Sequence, residues 1–489
     1  MLKKILESTL IMGSSAFLVM ALDLVRVKIL ALWLGPEGVG TLSVLNHFHT
    51  VAVTLISLGL GTGVVKYVSA GNREGDHEAV HGVIRHAFQF TGLLSTCFTV
   101  LCVIFSSHVS GWILGSPQGS FFVIVYAGTL PLIAYTLTSS SYLQGLKRVS
   151  SLAKINLYRT VTSVLFIAPL VWFWRLEGAV LSVVIISVIH ALLCHHYLKT
   201  ENYLRSMFSW KALDVVMLKQ LLPFGLATLI TGATYALSQL VLKILIVRNL
   251  GMELNGIYQP VWALTMTYPT LVLSSMSAYS YPRLCELSSA RDMTEEINAM
   301  LRVAVMLITP AMFFLVLARQ PIIQVLYSPE FSAAADYIPI QILGDFFKIL
   351  TWSVGAFLLP IQKFRPFVIG GIFTDGLLVA AAAALIPAFG LNGAVAAFVL
   401  SYGFSAAFHY GLGRNYIQFR LWPKNRKLLA CSFGAIVGLT MCSLSLSFRA
   451  SLGAGALILA LWGLMTIEKA EGLKLKQFII GKLCGNESS

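Results

Sequence analysis

Residues 28–40 read Lys-Ile-Leu-Ala-Leu-Trp-Leu-Gly-Pro-Glu-Gly-Val-Gly, and residues 243–256 read Lys-Ile-Leu-Ile-Val-Arg-Asn-Leu-Gly-Met-Glu-Leu-Asn-Gly. Each opens with a lysine inside an apolar run and closes on Leu-Gly-x-Glu-x-x-Gly, and the two copies lie roughly 216 residues apart. Further matches follow in the same order. Lys66 and Arg85 fall opposite Arg283 and Arg302, and Gln144-Gly145-Leu146-Lys147 falls opposite Pro360-Ile361-Gln362-Lys363. Leu176-Glu177-Gly178-Ala179-Val180 falls opposite Leu391-Asn392-Gly393-Ala394-Val395. One match would be chance; an ordered series at nearly constant offset is an internal duplication.

The repeated unit holds six apolar stretches, so both copies run the same way through a membrane. The expected fold is an all-α polytopic membrane protein of about fourteen transmembrane helices. It has two parallel six-helix lobes, related by an axis along the membrane normal, plus two C-terminal helices. The expected boundaries are residues 1–200 for the first lobe, 201–220 for a cytoplasmic linker and 221–415 for the second lobe. Residues 416–489 then carry the two extra helices and a basic tail.

Composition supports this class. Of 489 residues 57% are hydrophobic and only 11% charged, against about 25% charged in soluble domains. Mean hydropathy is +0.79. The formal charge of +14 invites a nucleic-acid reading. With the N-terminus inside, however, most Lys and Arg fall on one side, among them Lys3, Lys4, Arg73, Arg148, Arg291, Arg365 and Arg414. Such a bias in short loops sets topology, places both termini in the cytoplasm and excludes nucleic acid as the explanation. The basic stretch 468–482 is expected on the inner surface against anionic lipid or as a frayed tail. The N-terminal apolar run continues to Leu34 and reads as an uncleaved first span. Seven cysteines show no Cys-x-x-Cys pair, so neither disulfides, metal nor any other cofactor is expected.

The Leu-Gly-Pro-Glu-Gly-Val-Gly element, followed by an apolar span ending in Leu-Gly-Leu-Gly-Thr-Gly-Val-Val-Lys-Tyr-Val-Ser (Leu58 to Ser69), resembles a known family. It is similar to the polysaccharide-transporter branch of the multidrug/oligosaccharidyl-lipid/polysaccharide exporter superfamily, which includes O-antigen and related repeat-unit flippases. The resemblance implies a protein of the bacterial cytoplasmic (inner) membrane. It implies a flippase that moves an undecaprenyl-diphosphate-linked oligosaccharide from the inner to the outer leaflet by alternating access. The product would serve O-antigen, capsule or exopolysaccharide synthesis. A polysaccharide polymerase and chain-length proteins are its candidate partners, besides membrane lipid.

Residue chemistry agrees independently. A diphosphate-linked glycan needs a cationic, water-accessible path, and a charge inside a span is costly unless it lines one. Lys28, Lys243 and Arg159 lie in apolar stretches without a nearby acid in sequence. Arg85 and Arg302 are expected to begin the third and ninth spans, as part of a cationic track or as interfacial anchors. Asp23 with Arg26, and Asp345 with Lys348, are spaced to pair on one helix face. The alternatives are that Arg26 faces the cavity and that Asp23 and Asp345 couple ions. Asp375 is expected to pair with a cation or to carry a coupling proton.

Other features carry less. Gly59-Leu60-Gly61-Thr62-Gly63 lacks the preceding strand of a phosphate loop and reads as helix packing or a flexible point. His47 and His49 cannot share a helix face and do not make a metal site. Three other functions compete. A lipid II flippase would share the plan. A multidrug exporter of the same fold would be expected to expose acids rather than cations. A membrane glycan polymerase or ligase would need a sizeable outer loop. Proton, sodium or membrane potential alone could supply the drive.

Overall fold

The computed structural model describes residues 2–198, 215–446 and 448–466. Residues 201–214 of the expected linker, the basic stretch 468–482 and Cys484 lie outside the described residues. No strand occurs among those described. The chain is a polytopic helical membrane protein. Eight helices are long and apolar enough to cross a membrane by length and composition. The apolar stretches read from the sequence fall on helices, although some are split between two.

In chain order the helices are α1 Leu2–Ser57, α2 Leu60–Glu74, α3 His77–Ile104, α4 Ser106–Ile113, α5 Ser120–Gly128 and α6 Leu130–Gly145. Then come α7 Val149–Leu198, α8 Val215–Leu250, α9 Met252–Glu286, α10 Ala290–Leu317, α11 Arg319–Leu326 and α12 Ala334–Gly355. The last are α13 Phe364–Phe389, α14 Leu391–Ile417, α15 Pro423–Ser445 and α16 Phe448–Thr466. α1 is broken at Gly35 (φ 64) and α7 at Arg175 (φ 47), so each holds two apolar stretches. The second apolar stretch is further broken at Leu58 and Gly59, the Gly-rich element that is no phosphate loop. α4 and α11 are short helices that the apolar pattern did not announce. Each leads into a Ser-Pro turn and a single 3₁₀ turn, Pro117–Gly119 and Pro329–Phe331, so the connection recurs in both repeats.

The duplication is visible in backbone detail. Lys147 (φ 59) and Gln362 (φ 57) occupy the same left-handed position of the same turn. Its bonds are Arg148 N to Leu143 O and Lys363 N to Leu358 O, each 2.9 Å. The structural equivalence therefore pairs Lys147 with Gln362, one residue away from the register expected from sequence. The Gly-Ala-Val elements match as well. A Cβ on Gly178 would stand 1.9 Å from the Leu170 carbonyl oxygen, and one on Gly393 would stand 2.2 Å from that of Leu385. Only glycine admits these helix–helix approaches.

By contacts the chain forms two compact units. One comprises Met1–Pro260, Ile323–Ala334 and Phe364–Ala397; the other comprises Val261–Ile322, Ala335–Lys363 and Phe398–Ser489. In the first unit the two Leu-Gly-x-Glu-x-x-Gly motifs cross each other. A Cβ on Gly40 would meet the Met252 carbonyl oxygen at 2.2 Å, and one on Gly256 would meet that of Pro36 at 1.8 Å. The contact is self-complementary: each motif's last glycine takes the carbonyl one turn earlier in the other copy. Asn255 secures it, donating from Nδ2 to Gly40 O at 2.8 Å and to Ser43 Oγ at 3.1 Å. Around it lies an apolar core that includes Val44, Leu45, Val123, Leu130, Val171 and Leu240.

In the second unit Asn298 of α10 fastens the start of α15. Its Nδ2 donates to Arg420 O, its Oδ1 accepts from Trp422 N, and its own carbonyl accepts from Asn425 Nδ2 at 2.8 Å. Trp462 Nε1 donates to Ser432 Oγ at 2.8 Å across α15 and α16, and Phe346 packs on Phe433.

Candidate functional site

Most of the intramembrane and span-end cations fall into two groups by what they touch. The first group closes helix C-termini, whose last carbonyls lack partners and carry the negative end of the dipole. Lys28 Nζ donates to Gln324 O at 2.7 Å and to Tyr327 O, at the end of α11. Arg302, buried, likewise meets a backbone carbonyl, donating to Thr466 O on α16 at 3.2 Å. Arg319 donates to Val316 O at 3.0 Å and to Ser443 O at 2.7 Å, near the ends of α10 and α15. Arg175 donates to Trp33 O at 2.8 Å, and Arg248 to Trp112 O at 3.3 Å.

The second group comprises Arg26 and Arg159, both half-buried in the first unit. Their Nε atoms are buried and find no acceptor. Arg159 sits within electrostatic reach of Asp23, Arg26, His190 and Cys194, and Arg26 within reach of Tyr126. Tyr126 donates to Asn46 Oδ1 at 3.1 Å, and His49 Nε2 lies 3.0 Å from Thr129 Oγ1, so polar groups continue along the second apolar stretch. The contact ion pairs include Arg73–Glu74, Arg283–Glu286 and Arg291–Glu295, all exposed, and none of these involves Arg26 or Arg159. The expected Asp23–Arg26 pair does not form a contact, and Asp23 is exposed. Two guanidiniums thus share a site with one exposed acid. This geometry can receive a doubly charged oxyanion, because guanidinium donors match phosphate oxygens in pairs.

The remaining candidates are placed as follows. Lys243 is fully buried; its Nζ donates to Gln259 Oε1 at 2.8 Å and lies 4.9 Å from the centre of the Tyr258 ring. Within the same unit His47 is close enough to feel its charge. Lys28 and Lys243 fall in one compact unit, with unlike partners. Arg85 and Arg302 stand at the start of their apolar stretches but inside the helices that carry them. α3 starts at His77 and α10 at Ala290, because amphipathic turns extend each helix beyond its apolar stretch. Asp375, buried on α13, takes hydroxyls rather than a cation: Ser238 Oγ donates to its Oδ1 at 3.2 Å, and Thr234 adds a second bond. Asp345, fully buried on α12, accepts from Tyr268 Oη at 2.8 Å. Its expected partner Lys348 instead places Nζ 3.0 Å from Met266 Sδ. Groups of three or more metal-binding side chains are absent among the described residues.

Sequence reasoning missed His190, Tyr126 and Asn46. A lone histidine in the apolar run Ser187-Val188-Ile189-His190-Ala191 was a usable signal. Tyr126 and Asn46 carry none, since only tertiary packing brings them to Arg26.

A sequence profile of the polysaccharide biosynthesis protein family matches residues 5–288. The chain is 25% identical over 382 residues to the lipid III flippase of Escherichia coli (strain K12), covering 77% of this chain and 90% of that protein. Among solved structures it resembles an inward-facing multidrug resistance MATE family transporter of the MOP superfamily. That match has a TM-score of 0.71 and 15% identity, over 82% of this chain and 94% of the other. It also resembles the lipid II flippase MurJ in an inward closed conformation, with a TM-score of 0.64 and 11% identity, over 98% and 100% of the two chains. The fold, the duplicated motif and the profile agree, and the chain belongs to the polysaccharide biosynthesis protein family, in the polysaccharide-transporter branch of the exporter superfamily read from its first 70 residues.

Proposed function

We propose that the protein is a flippase for an oligosaccharide linked through a diphosphate to undecaprenol, carrying it outward across the cytoplasmic membrane for O-antigen, capsule or exopolysaccharide synthesis. The observation that carries this reading is the Arg26–Arg159 pair: two half-buried guanidiniums whose Nε atoms have no acceptor and which make no contact ion pair. A cation in a span costs about 2.5–3.5 kcal/mol or more, and a transient anionic partner is its simplest compensation. The cations of the other group already hold helix ends. The relative from Escherichia coli, named for lipid III, supports a lipid-linked glycan as cargo. A drug exporter of this fold would be expected to present unpaired acids in its cavity, and here two guanidiniums stand against one nearby acid.

In this reading the substrate enters from the inner leaflet, its diphosphate settles on Arg26 and Arg159, and the two six-helix lobes rock about it. With fourteen crossings both termini would lie on one side, the cytoplasm by the Lys and Arg bias of the loops. Lys28 and Lys243 extend the track, each as an ammonium with three donors. Arg85, whose Nε is also buried without an acceptor, would meet the substrate first, and Arg302 would serve mainly as an anchor. An inside-negative potential favours outward movement of an anion by about 2.3 kcal/mol per charge per 100 mV. Asp375, with its two hydroxyl partners, is the group most suited to exchange a proton or sodium ion; Asp23 and Asp345 are the other acids available for coupling. No catalytic residue is required, and a polymerase with chain-length proteins would act on the product.

The test is transport of a polyprenyl-diphosphate-linked oligosaccharide in proteoliposomes. Arg26→Ala/Arg159→Ala should slow movement about 100-fold, since a hydrogen bond to a charged group contributes roughly 1.5–3 kcal/mol. Arg→Lys at both positions should keep part of the rate, the charge surviving while the paired donor geometry is lost. A double alanine variant that transports at the wild-type rate would overturn the proposal.

A further inference from the structure

The second unit contains a feature that the diphosphate site does not use. α9 and α12 border an open groove of about 620 Å³. Its walls include two aromatic rings, Tyr281 and Trp352, three hydroxyl residues, Thr270, Ser274 and Ser277, and one charge, Lys348. Lys348 and Trp352 are one helical turn apart on α12 and so share a face. The hydroxyls lie on α9, where Thr270 and Ser274 donate to the backbone carbonyls of Met266 and Leu271. Their protons are spent inside the helix, and their lone pairs remain available to accept from a ligand's hydroxyls.

Among the described residues Lys348 makes no contact ion pair. Asp345, one turn away, lies within electrostatic reach of it, but Asp345 is fully buried and its Oδ2 is held by Tyr268 Oη. Lys348 Nζ meets a thioether sulfur at 3.0 Å and the Tyr402 ring at 5.9 Å. Both are weak acceptors for a group with three strong donors. An ammonium with unspent donors beside two ring faces and a row of hydroxyl acceptors suits one ligand chemistry. A sugar ring lays its apolar face on an aromatic side chain, its hydroxyls donate to Ser and Thr oxygens, and an acidic substituent meets the ammonium. A single point charge, rather than a pair of planar guanidiniums, fits a lone carboxylate or phosphate monoester better than a diphosphate.

We infer that this groove is a saccharide subsite that takes an acidic sugar of the transported glycan, with Lys348 on the acidic group and Trp352 and Tyr281 against the ring. The inference rests on the flippase reading and shares no residue with the Arg26–Arg159 site. It makes Lys348 a specificity residue: it selects among glycans carried on the same lipid.

The experiment uses two probes in proteoliposomes, polyprenyl-diphosphate-linked disaccharides ending in glucose or in glucuronate. The wild-type protein should prefer the glucuronate probe. Lys348→Ala should slow the glucuronate probe about tenfold and leave the glucose probe within about twofold, as expected for loss of one charge-assisted contact. Lys348→Arg should restore most of the preference, and Trp352→Ala should slow both probes. Lys348→Met, checked for monodispersity in detergent, separates a folding defect from a loss of selectivity. Equal slowing of both probes by Lys348→Ala and Lys348→Met would show that Lys348 reads the diphosphate and would overturn the inference. So would no change with either probe, or a wild-type preference for glucose. If wild-type protein moves neither probe, the flippase reading itself fails; if it moves both and only the preference is absent, the subsite alone fails.

Discussion

Lys28 and Lys243 open the two copies of the same motif, yet the fold treats them differently. Lys28 is half-buried and closes the C-terminus of α11 through the carbonyls of Gln324 and Tyr327. Lys243 is fully buried, against the Gln259 amide and the Tyr258 ring. The motif that follows them is treated alike in both copies, Gly40 and Gly256 each taking the other copy's backbone. A duplicated sequence therefore preserves what backbone geometry demands, while side chains projecting from it are free to take separate work. Arg175 and Gly390 make the same point: both sit at a left-handed position, φ 47 and φ 60, but only the first copy places a side chain there.

The self-complementary crossing offers the largest effect. Gly40→Val and Gly256→Val should each prevent stable folding, because a Cβ would stand 2.2 Å and 1.8 Å from a carbonyl oxygen held in another helix. Overpacking of a rigid site costs about 1–3 kcal/mol or more, and here the neighbour is backbone that cannot rotate away. Loss of monodisperse protein on size-exclusion chromatography is expected for both variants to the same degree. If one variant folds well and the other does not, the two copies of the motif are not equivalent.

The lysines should separate where the glycines do not. Lys243→Met removes a buried ammonium and fills its place with an apolar chain, an exchange that is often neutral or stabilising. The Gln259 oxygen that it leaves behind costs about 1–3 kcal/mol, so thermal stability should stay close to wild type. Transport of the lipid-linked glycan should fall more than about tenfold, as for loss of one charge contact. Lys28→Met leaves two helix-end carbonyls to find water in a half-exposed setting, and should lower stability by about 1 kcal/mol with a smaller loss of transport. Melting by intrinsic fluorescence and flux in proteoliposomes give the two readouts. Identical pairs of values for the two variants would mean that repeat position, rather than local contact, decides the role.

Much of the fold was legible because its signals are local. An apolar run of sufficient length is a helix in a membrane whatever its neighbours, and a glycine motif repeated in order is a duplication. The short helices α4 and α11 were not legible: Ser106–Ile113 and Arg319–Leu326 are too short and too polar to stand out. The starts of α3 and α10 were missed for a related reason, since their first turns are amphipathic. The site was half legible. A cation in an apolar stretch announces itself, but whether it serves a helix end or a ligand depends on a carbonyl far away in sequence. Arg302 finds the Thr466 carbonyl, while Arg159 has Asp23, Arg26, His190 and Cys194 nearby. At Asp345 and Lys348 spacing brings the two charges within electrostatic reach, but Tyr268, from another helix, takes the carboxylate's hydrogen bond.

The smallest effect tests the pair at the second kink. Arg175 is a non-glycine residue at φ 47 inside α7, a position that the second copy gives to Gly390. Holding a side chain there costs on the order of 1 kcal/mol. Arg175 offsets part of this cost, because its guanidinium donates to Trp33 O at 2.8 Å and closes the first arm of α1. Arg175→Gly relieves the strain and loses the cap, so the two effects should nearly cancel, with a melting temperature within about 2 °C of wild type. Arg175→Ala loses the cap and keeps the strain, and should melt lower than Arg175→Gly. The order of those two variants is the informative quantity. If Arg175→Ala is as stable as Arg175→Gly, the kink is not strained. The second copy's glycine would then reflect packing near Leu250, 3.9 Å from a Cβ at Gly390, rather than backbone conformation.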